Sequence, residues 1–391
     1  MSGRIASHVA ALPKSGIRKF FDIVAQSKDV VSLGVGEPDF DTPWHISRAA
    51  VTALENSATH YTSNLGTPGL RRAIARYAER RFGSSFSPDG EILVTVGVSE
   101  AIDLAVRALC EPGDEVLYHE PCFVSYPAVM RLAHAVPVPV ETKAADGFRL
   151  TVEALEAKTT PRTKALLVNF PCNPTGATLD ADGVREILEF CERRGIILLS
   201  DEVYSELDYR LAGDPEARPV SFTSLPEYRD RVVMLNGFSK SWAMTGFRLG
   251  YACGPADIID AMMKIHQYGI MSAPTLSQAA GEEAMDAGDA DVAKMRREYM
   301  RRRDFLCGFL NDAGLETCVP GGAFYLFPDI SSTGLSSEEF AMKLLKEHGV
   351  ACVPGGAFGA CGEGFARMSY ATSMEKLAIA AKRIKEMLGR A

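Results

Sequence analysis

Lys240 stands in Gly237-Phe238-Ser239-Lys240-Ser241-Trp242-Ala243-Met244-Thr245-Gly246-Phe247-Arg248-Leu249-Gly250, just after an apolar run. A lysine amine condenses with carbonyls to form a Schiff base. Arg248 follows eight residues later, and a guanidinium grips phosphate with a two-pronged fork. An amine suited to an aldehyde and a fork suited to a phosphate, this close in the chain, suggest one ligand bearing both groups.

Three further segments carry polar residues after apolar runs. In Gly97-Val98-Ser99 the backbone N–H groups of Val98 and Ser99 would open a helix and point at an anion; the glycine could also serve only the geometry of the turn. In Pro171-Cys172-Asn173-Pro174-Thr175-Gly176 a tight turn is expected, with Asn173 either capping it or donating its amide to a ligand. In Ser200-Asp201-Glu202-Val203-Tyr204 a carboxylate ends a buried run, which is costly unless it is paired. Asp201 is thus either a helix N-cap or the partner of a cationic group on a ligand. Tyr204, three residues on, would share its face of a helix.

These residues must be positioned by something. Ile92–Val96, Glu115–Tyr118, Lys164–Phe170, Ile196–Ser200, Arg231–Asn236 and Arg248–Cys253 read as short buried strands. Between them, Ile102, Ala105, Val106 and Leu109 mark one helix face, and Val184, Ile187, Leu188 and Cys191 another. The alternation predicts an α/β fold, a mostly parallel sheet with helices on both faces. Gly97, Asn173, Asp201 and Lys240 then fall at or just past the C-terminal ends of strands, where open α/β sheets bind ligands. Beyond Ala279 the pattern changes to a long charged helix (Gly281 to about Leu310), short strands near Gly322–Phe327 and Phe365–Ser369, and a last helix from about Met374 to Leu388. That predicts a second, smaller α+β domain.

Composition sets the class. The 391 residues are 47% hydrophobic and 24% charged, ordinary for a globular chain with a sizeable core. A net charge of −8 disfavours nucleic acid as a partner. Nine scattered cysteines without a C-x-x-C pair predict reduced thiols and a cytoplasmic protein, with no metal site. Neither a signal peptide nor a membrane span is evident.

Aldehyde plus phosphate describes pyridoxal phosphate, and the lysine segment matches, position by position, the lysine signature of class I pyridoxal-phosphate aminotransferases. The chain resembles that family from about Ser15 to Thr372, within the aspartate and aromatic aminotransferase-like subgroup. The resemblance implies a Lys240 Schiff base, Asp201 on the pyridine nitrogen, and Asn173 and Tyr204 on the phenolic oxygen. It implies that Phe123 stacks on the ring, that Val98, Ser99, Ser239 and Arg248 hold the phosphate, and that Arg367 and Gly36, with Asn173, bind the substrate carboxylate. Tyr61, in His60-Tyr61-Thr62-Ser63-Asn64, would reach the phosphate of a partner chain, giving a homodimer with shared sites. Gly237 departs from the pattern, since many relatives carry a phosphate-binding serine there. The family fold implies a large cofactor-binding domain over residues 46–286, and a small domain over 1–45 and 287–391 that closes on the substrate.

The implied reaction moves an amino group from an L-amino acid to a 2-oxo acid such as 2-oxoglutarate. The donor would be aspartate, an aromatic amino acid or a relative of these. In Pro13-Lys14-Ser15-Gly16-Ile17-Arg18, Ile17 suits an apolar donor side chain, and Lys14 or Arg18 a second carboxylate. A carbon–sulfur β-lyase would use the same lysine and aspartate. A non-catalytic sensor would need an added DNA-binding module, for which the pattern leaves no room.

Overall fold

The computed structural model describes residues 3–12, 29–214 and 217–389. After a two-residue strand, β1 (Val31–Ser32), the apolar runs become β2 (Ile92–Thr95), β3 (Glu115–Glu120), β4 (Val136–Glu141), β5 (Thr163–Asn169), β6 (Ile197–Asp201), β7 (Val232–Gly237) and β8 (Gly250–Cys253). These seven form one sheet in the order β2-β8-β7-β6-β5-β3-β4. Only β8 runs against its neighbours.

Side chains alternate across the sheet, as the pleat requires. Leu166, Val168 and Leu198 pack on one face with Val184, Ile187, Leu188 and Cys191 of the helix Ala181–Arg194. Ala165, Leu167 and Leu199 pack on the other with Ile102, Ala105 and Val106 of the helix Val98–Leu109. Both helix faces lie where periodicity put them. Asp180 caps the first of these helices by accepting from the Gly183 N–H at 2.8 Å, and Gly195 ends it in the left-handed conformation.

β4 was not among the expected strands, because its sequence is Val-Pro-Val-Pro-Val-Glu. Proline removes a ladder donor and is tolerated only at an edge. β4 is an edge strand: Val136 donates to Asp114 and Thr142 to Glu120, so the even-numbered residues bond β3. Pro137 and Pro139, of opposite parity, face outward. On the far edge, the Val94 N–H of β2 donates to the Leu65 carbonyl of a covering loop.

A second cluster contains β9 (Tyr325–Leu326), β10 (Val350–Ala351), β11 (Val353–Pro354) and β12 (Ala366–Ser369). β11-β12-β9 form a small antiparallel sheet, and β1 pairs with β10 in parallel. The early segment around β1 therefore joins the C-terminal elements, and Val31, Leu33, Phe324, Phe340 and Ile384 share one core. The long charged helix is in fact two, Thr275–Ala287 and Asp289–Asp312, divided at Gly288. A Cβ at Gly288 would come within 2.4 Å of Trp242 Nε1 and 2.6 Å of the Ala284 carbonyl oxygen. The indole packs against the backbone there, which charge patterning does not reveal. The last helix spans Met374–Met387, with Ser373 as its cap.

Candidate active site

The C-terminal ends of the parallel strands converge on a pocket of about 390 Å³. β6 ends at Asp201, and β5 ends at Asn169, four residues before Asn173. β7 ends at Gly237, three before Lys240, and Gly97 lies two past β2. β8 runs the other way, so Arg248, two residues before it, arrives at the same edge. The pocket is lined by Val98, Ser99, Phe123, Asn173, Asp201, Tyr204, Ser239, Lys240 and Arg248, with Gly36 and Arg367 contributed from outside the large sheet. Tyr61 alone among the sequence-derived site residues is elsewhere, 83% exposed at the surface. Lys14, Ile17 and Arg18 lie outside the described residues.

Lys240 Nζ donates to the Gly36 carbonyl at 2.6 Å. Burial lowers its pKa to about 8, against the opposing pull of Glu37 and with help from the Arg367 and Arg248 charges. A neutral amine is thus within reach near neutral pH, as condensation with a carbonyl requires. Asp201 is buried; it accepts from Tyr126 Oη at 2.7 Å and from the Val203 N–H at 3.2 Å. Burial raises its carboxyl to about 6, against these two hydrogen bonds. A buried carboxylate held by neutral donors alone still gains from a cationic ligand partner.

The far wall is built around Arg367. Its Nη1 donates to Asn173 Oδ1 at 2.9 Å and its Nη2 to the Gly34 carbonyl at 2.7 Å. The guanidinium lies 4.6 Å from the Tyr325 ring centre and 4.9 Å from that of Phe358. It is buried, its Nε has no partner, and no carboxylate pairs with it among the described residues. A buried charge without a counter-ion is costly, and a carboxylate ligand would relieve it. Gly36 is required by close approach: a Cβ would stand 2.7 Å from Tyr325 Oη and 3.8 Å from Arg367 Nη1. Tyr325 Oη is also hydrogen-bonded to Tyr204 Oη at 2.8 Å.

Another part of the pocket lining suits a phosphate. Gly97, at φ 77°, opens the helix Val98–Leu109 with no side-chain cap, leaving first-turn N–H groups to face a ligand. A Cβ at Gly97 would lie 3.0 Å from Arg248 Nη2, so the guanidinium sits beside the helix start. Ser239 also lines the pocket. Gly237 cannot simply become serine, because its Cβ would meet Val98 Cγ2 at 2.8 Å and the Leu249 carbonyl at 3.1 Å. Val98 fills the space that a serine there would need. Arginine, helix N-terminus, depressed lysine and buried carboxylate together fit a ligand with phosphate, aldehyde and ring nitrogen.

Sequence reasoning missed Tyr126, Asn169 and Tyr325. Asn169 Nδ2 donates to the Asp201 carbonyl at 2.9 Å, and its Oδ1 accepts from the Asn173 N–H at 3.0 Å. Tyr126 carried a weak signal, being one helical turn beyond Phe123, with which its ring makes an edge contact at 5.7 Å. Tyr325 carried none.

Comparison with known proteins bears on this site. The family model described as aminotransferase class I and II matches residues 28–384. The chain is 44% identical to an aspartate aminotransferase of Pyrococcus abyssi, over 96% of this chain and 95% of that protein. It is 42% identical to aromatic-amino-acid aminotransferase 2 of Thermococcus litoralis, over the same two shares. The crystal structure of an aromatic aminotransferase from Pyrococcus horikoshii superposes with a TM-score of 0.89 at 44% identity, covering 95% of this chain and 98% of that one.

Proposed function

Because the chain belongs to the class I and II aminotransferases, pyridoxal-phosphate-dependent enzymes that move amino groups between amino acids and 2-oxo acids, we propose that Lys240 carries the cofactor and Arg367 the substrate carboxylate. The observation that carries this reading is the pairing, in one pocket, of a partly buried lysine whose amine is lowered to about 8 with a buried guanidinium that no carboxylate pairs among the described residues. When bound, the cofactor supplies an aldehyde for the amine and an electron-withdrawing ring.

The chain's own groups do the rest. Val98 and Ser99 N–H groups, Ser239 and Arg248 hold the phosphate, and Phe123 offers a ring face. Asp201 holds a negative charge against the ring nitrogen and is itself oriented by Tyr126. Asn173 and Tyr204 donate toward the phenolic oxygen. Arg367, backed by Gly36 and Asn173, fixes the α-carboxylate and so turns the Cα–H bond toward Lys240. Lys240 Nζ accepts the Cα proton as general base. We propose residues 46–286 as the large domain, with 1–45 and 287–391 closing over Arg367 to exclude water.

The donor is proposed to be aspartate, an aromatic amino acid or a close relative, with 2-oxoglutarate as acceptor. Titrating holoenzyme with a panel of L-amino acids, with and without 2-oxoglutarate, tests this through the cofactor's absorption. A true donor is expected to bleach the resting band, and the oxo acid to restore it. Pyruvate released from cysteine-type donors without acceptor would sink the proposal in favour of a β-lyase.

We further propose a cytoplasmic homodimer in which Tyr61 reaches the partner's phosphate. Tyr61 and Tyr268 are over 80% exposed, beside the half-exposed Ile270 and Met271. Asn64 Nδ2 to the Met271 carbonyl at 2.7 Å, and Thr275 Oγ1 to the His60 carbonyl at 2.8 Å, tie these segments into one apolar patch. Sedimentation is expected to give twice the 42.3 kDa chain mass; a monomer at micromolar concentration would refute it.

A further inference from the structure

The helix Asp289–Asp312 carries Asp289, Ala293, Arg296 and Arg297 on one face, at offsets of four, seven and eight residues. That face looks across a second pocket, of about 200 Å³, at Arg81, Glu206, Leu211 and Ala212. It shares no lining residue with the active-site pocket.

Its charges do not balance. Three guanidinium groups face it, and Glu206 is the carboxylate left to answer them. Arg81 takes Glu206 with Nε at 2.8 Å and Nη2 at 3.0 Å, and Tyr77 Oη donates to the same carboxylate at 2.6 Å. Arg296 Nη1 reaches Glu206 Oε2 only at 3.5 Å and spends its good hydrogen bonds on the Glu206 and Leu211 carbonyls. Asp289, the other acid in the lining, is held by Arg80. Arg297 has no ion pair among the described residues. Arg296 is 93% buried, yet its Nε has no partner among the described residues. Buried cations are paired in stable proteins, and an orphaned buried donor asks for a ligand, ion or water.

We propose that this pocket binds a small tetrahedral oxyanion of the inorganic phosphate class, seated on Arg296 and Arg297 beside the Arg81–Glu206 pair. Arg297 closes the exposed side, and Arg296 forms the floor. Guanidinium groups suit such an oxyanion, because their N–H donors match its oxygens in pairs. The site lies where the second charged helix meets the segment following Tyr204.

The test is calorimetric titration of the holoenzyme with inorganic phosphate against chloride at matched ionic strength. The cofactor's own phosphate then fills the cradle at Arg248. One saturable site is expected in the wild type, weakened about tenfold in Arg297→Gln and retained in Arg367→Lys. Arg297 is exposed and outside the catalytic machinery, so Arg297→Gln should keep its melting temperature in phosphate-free buffer and its turnover. No saturable binding in the wild type would mean that the pocket holds water only and would overturn the proposal. So would binding of unchanged affinity in Arg297→Gln, or binding lost in Arg367→Lys instead.

Discussion

Lys240→Ala is expected to lose at least about 10⁴-fold in turnover, because one substitution removes both the covalent link and the general base. The fold should survive. Among the described residues the Lys240 side chain makes one hydrogen bond, to the Gly36 carbonyl, and its burial already disfavours the charged amine. Reductive trapping of the cofactor onto the cofactor-free chain, read by mass, separates chemistry from folding. In the wild type the trapping rate should rise with pH and reach half its plateau near pH 8, where the buried amine loses its proton, and not near the ordinary 10.5. The sign follows from the direction of the shift: burial favours the neutral form, so the reactive amine is present at lower pH than for a free lysine. The variant should trap nothing at any pH. Normal turnover in Lys240→Ala without added amine, or unchanged trapping, would remove Lys240 from the mechanism.

Arg367→Gln should lower kcat/KM for amino acids by about 10²-fold or more, the loss expected when a buried carboxylate loses its guanidinium partner. Cofactor loading should be untouched, since Arg248, Ser239 and the Val98 helix start, and not Arg367, are the groups proposed to hold the phosphate. The informative control is an amine without a carboxylate. Its slow reaction should be the same in both proteins, because Arg367 gives it nothing to lose. An equal loss for both substrates would mean that Arg367 supports the pocket wall through Asn173 and Gly34 and does not bind the carboxylate.

Much of this site was readable from local pattern. Periodicity placed the strands that end at Asn169, Asp201 and Gly237, and strand ends in a parallel sheet gather on one edge, so Lys240, Asp201 and Asn173 had to meet. What stayed hidden was of two kinds. Local rules failed where tertiary packing overrode them: prolines masked β4, and the indole of Trp242 divided a helix at Gly288. Long-range pairings left no local trace. Tyr126 reaches Asp201 across 75 residues, and Tyr325 meets Tyr204 across 121. Neither contact follows from composition or spacing, because each is set by the tertiary packing of segments far apart in the chain. The charge imbalance at Arg296 is of the same kind, since its neighbours Arg81 and Glu206 come from separate parts of the chain.

The prolines of β4 have a consequence beyond that strand. A sheet's outermost strands expose unpaired N–H and C=O groups, on which a stray chain can polymerise. Pro137 and Pro139 withdraw donors on one flank, and the loop at Leu65 occupies a donor on the other. A seven-stranded sheet with a strongly apolar interior is thereby guarded on both flanks against templated aggregation.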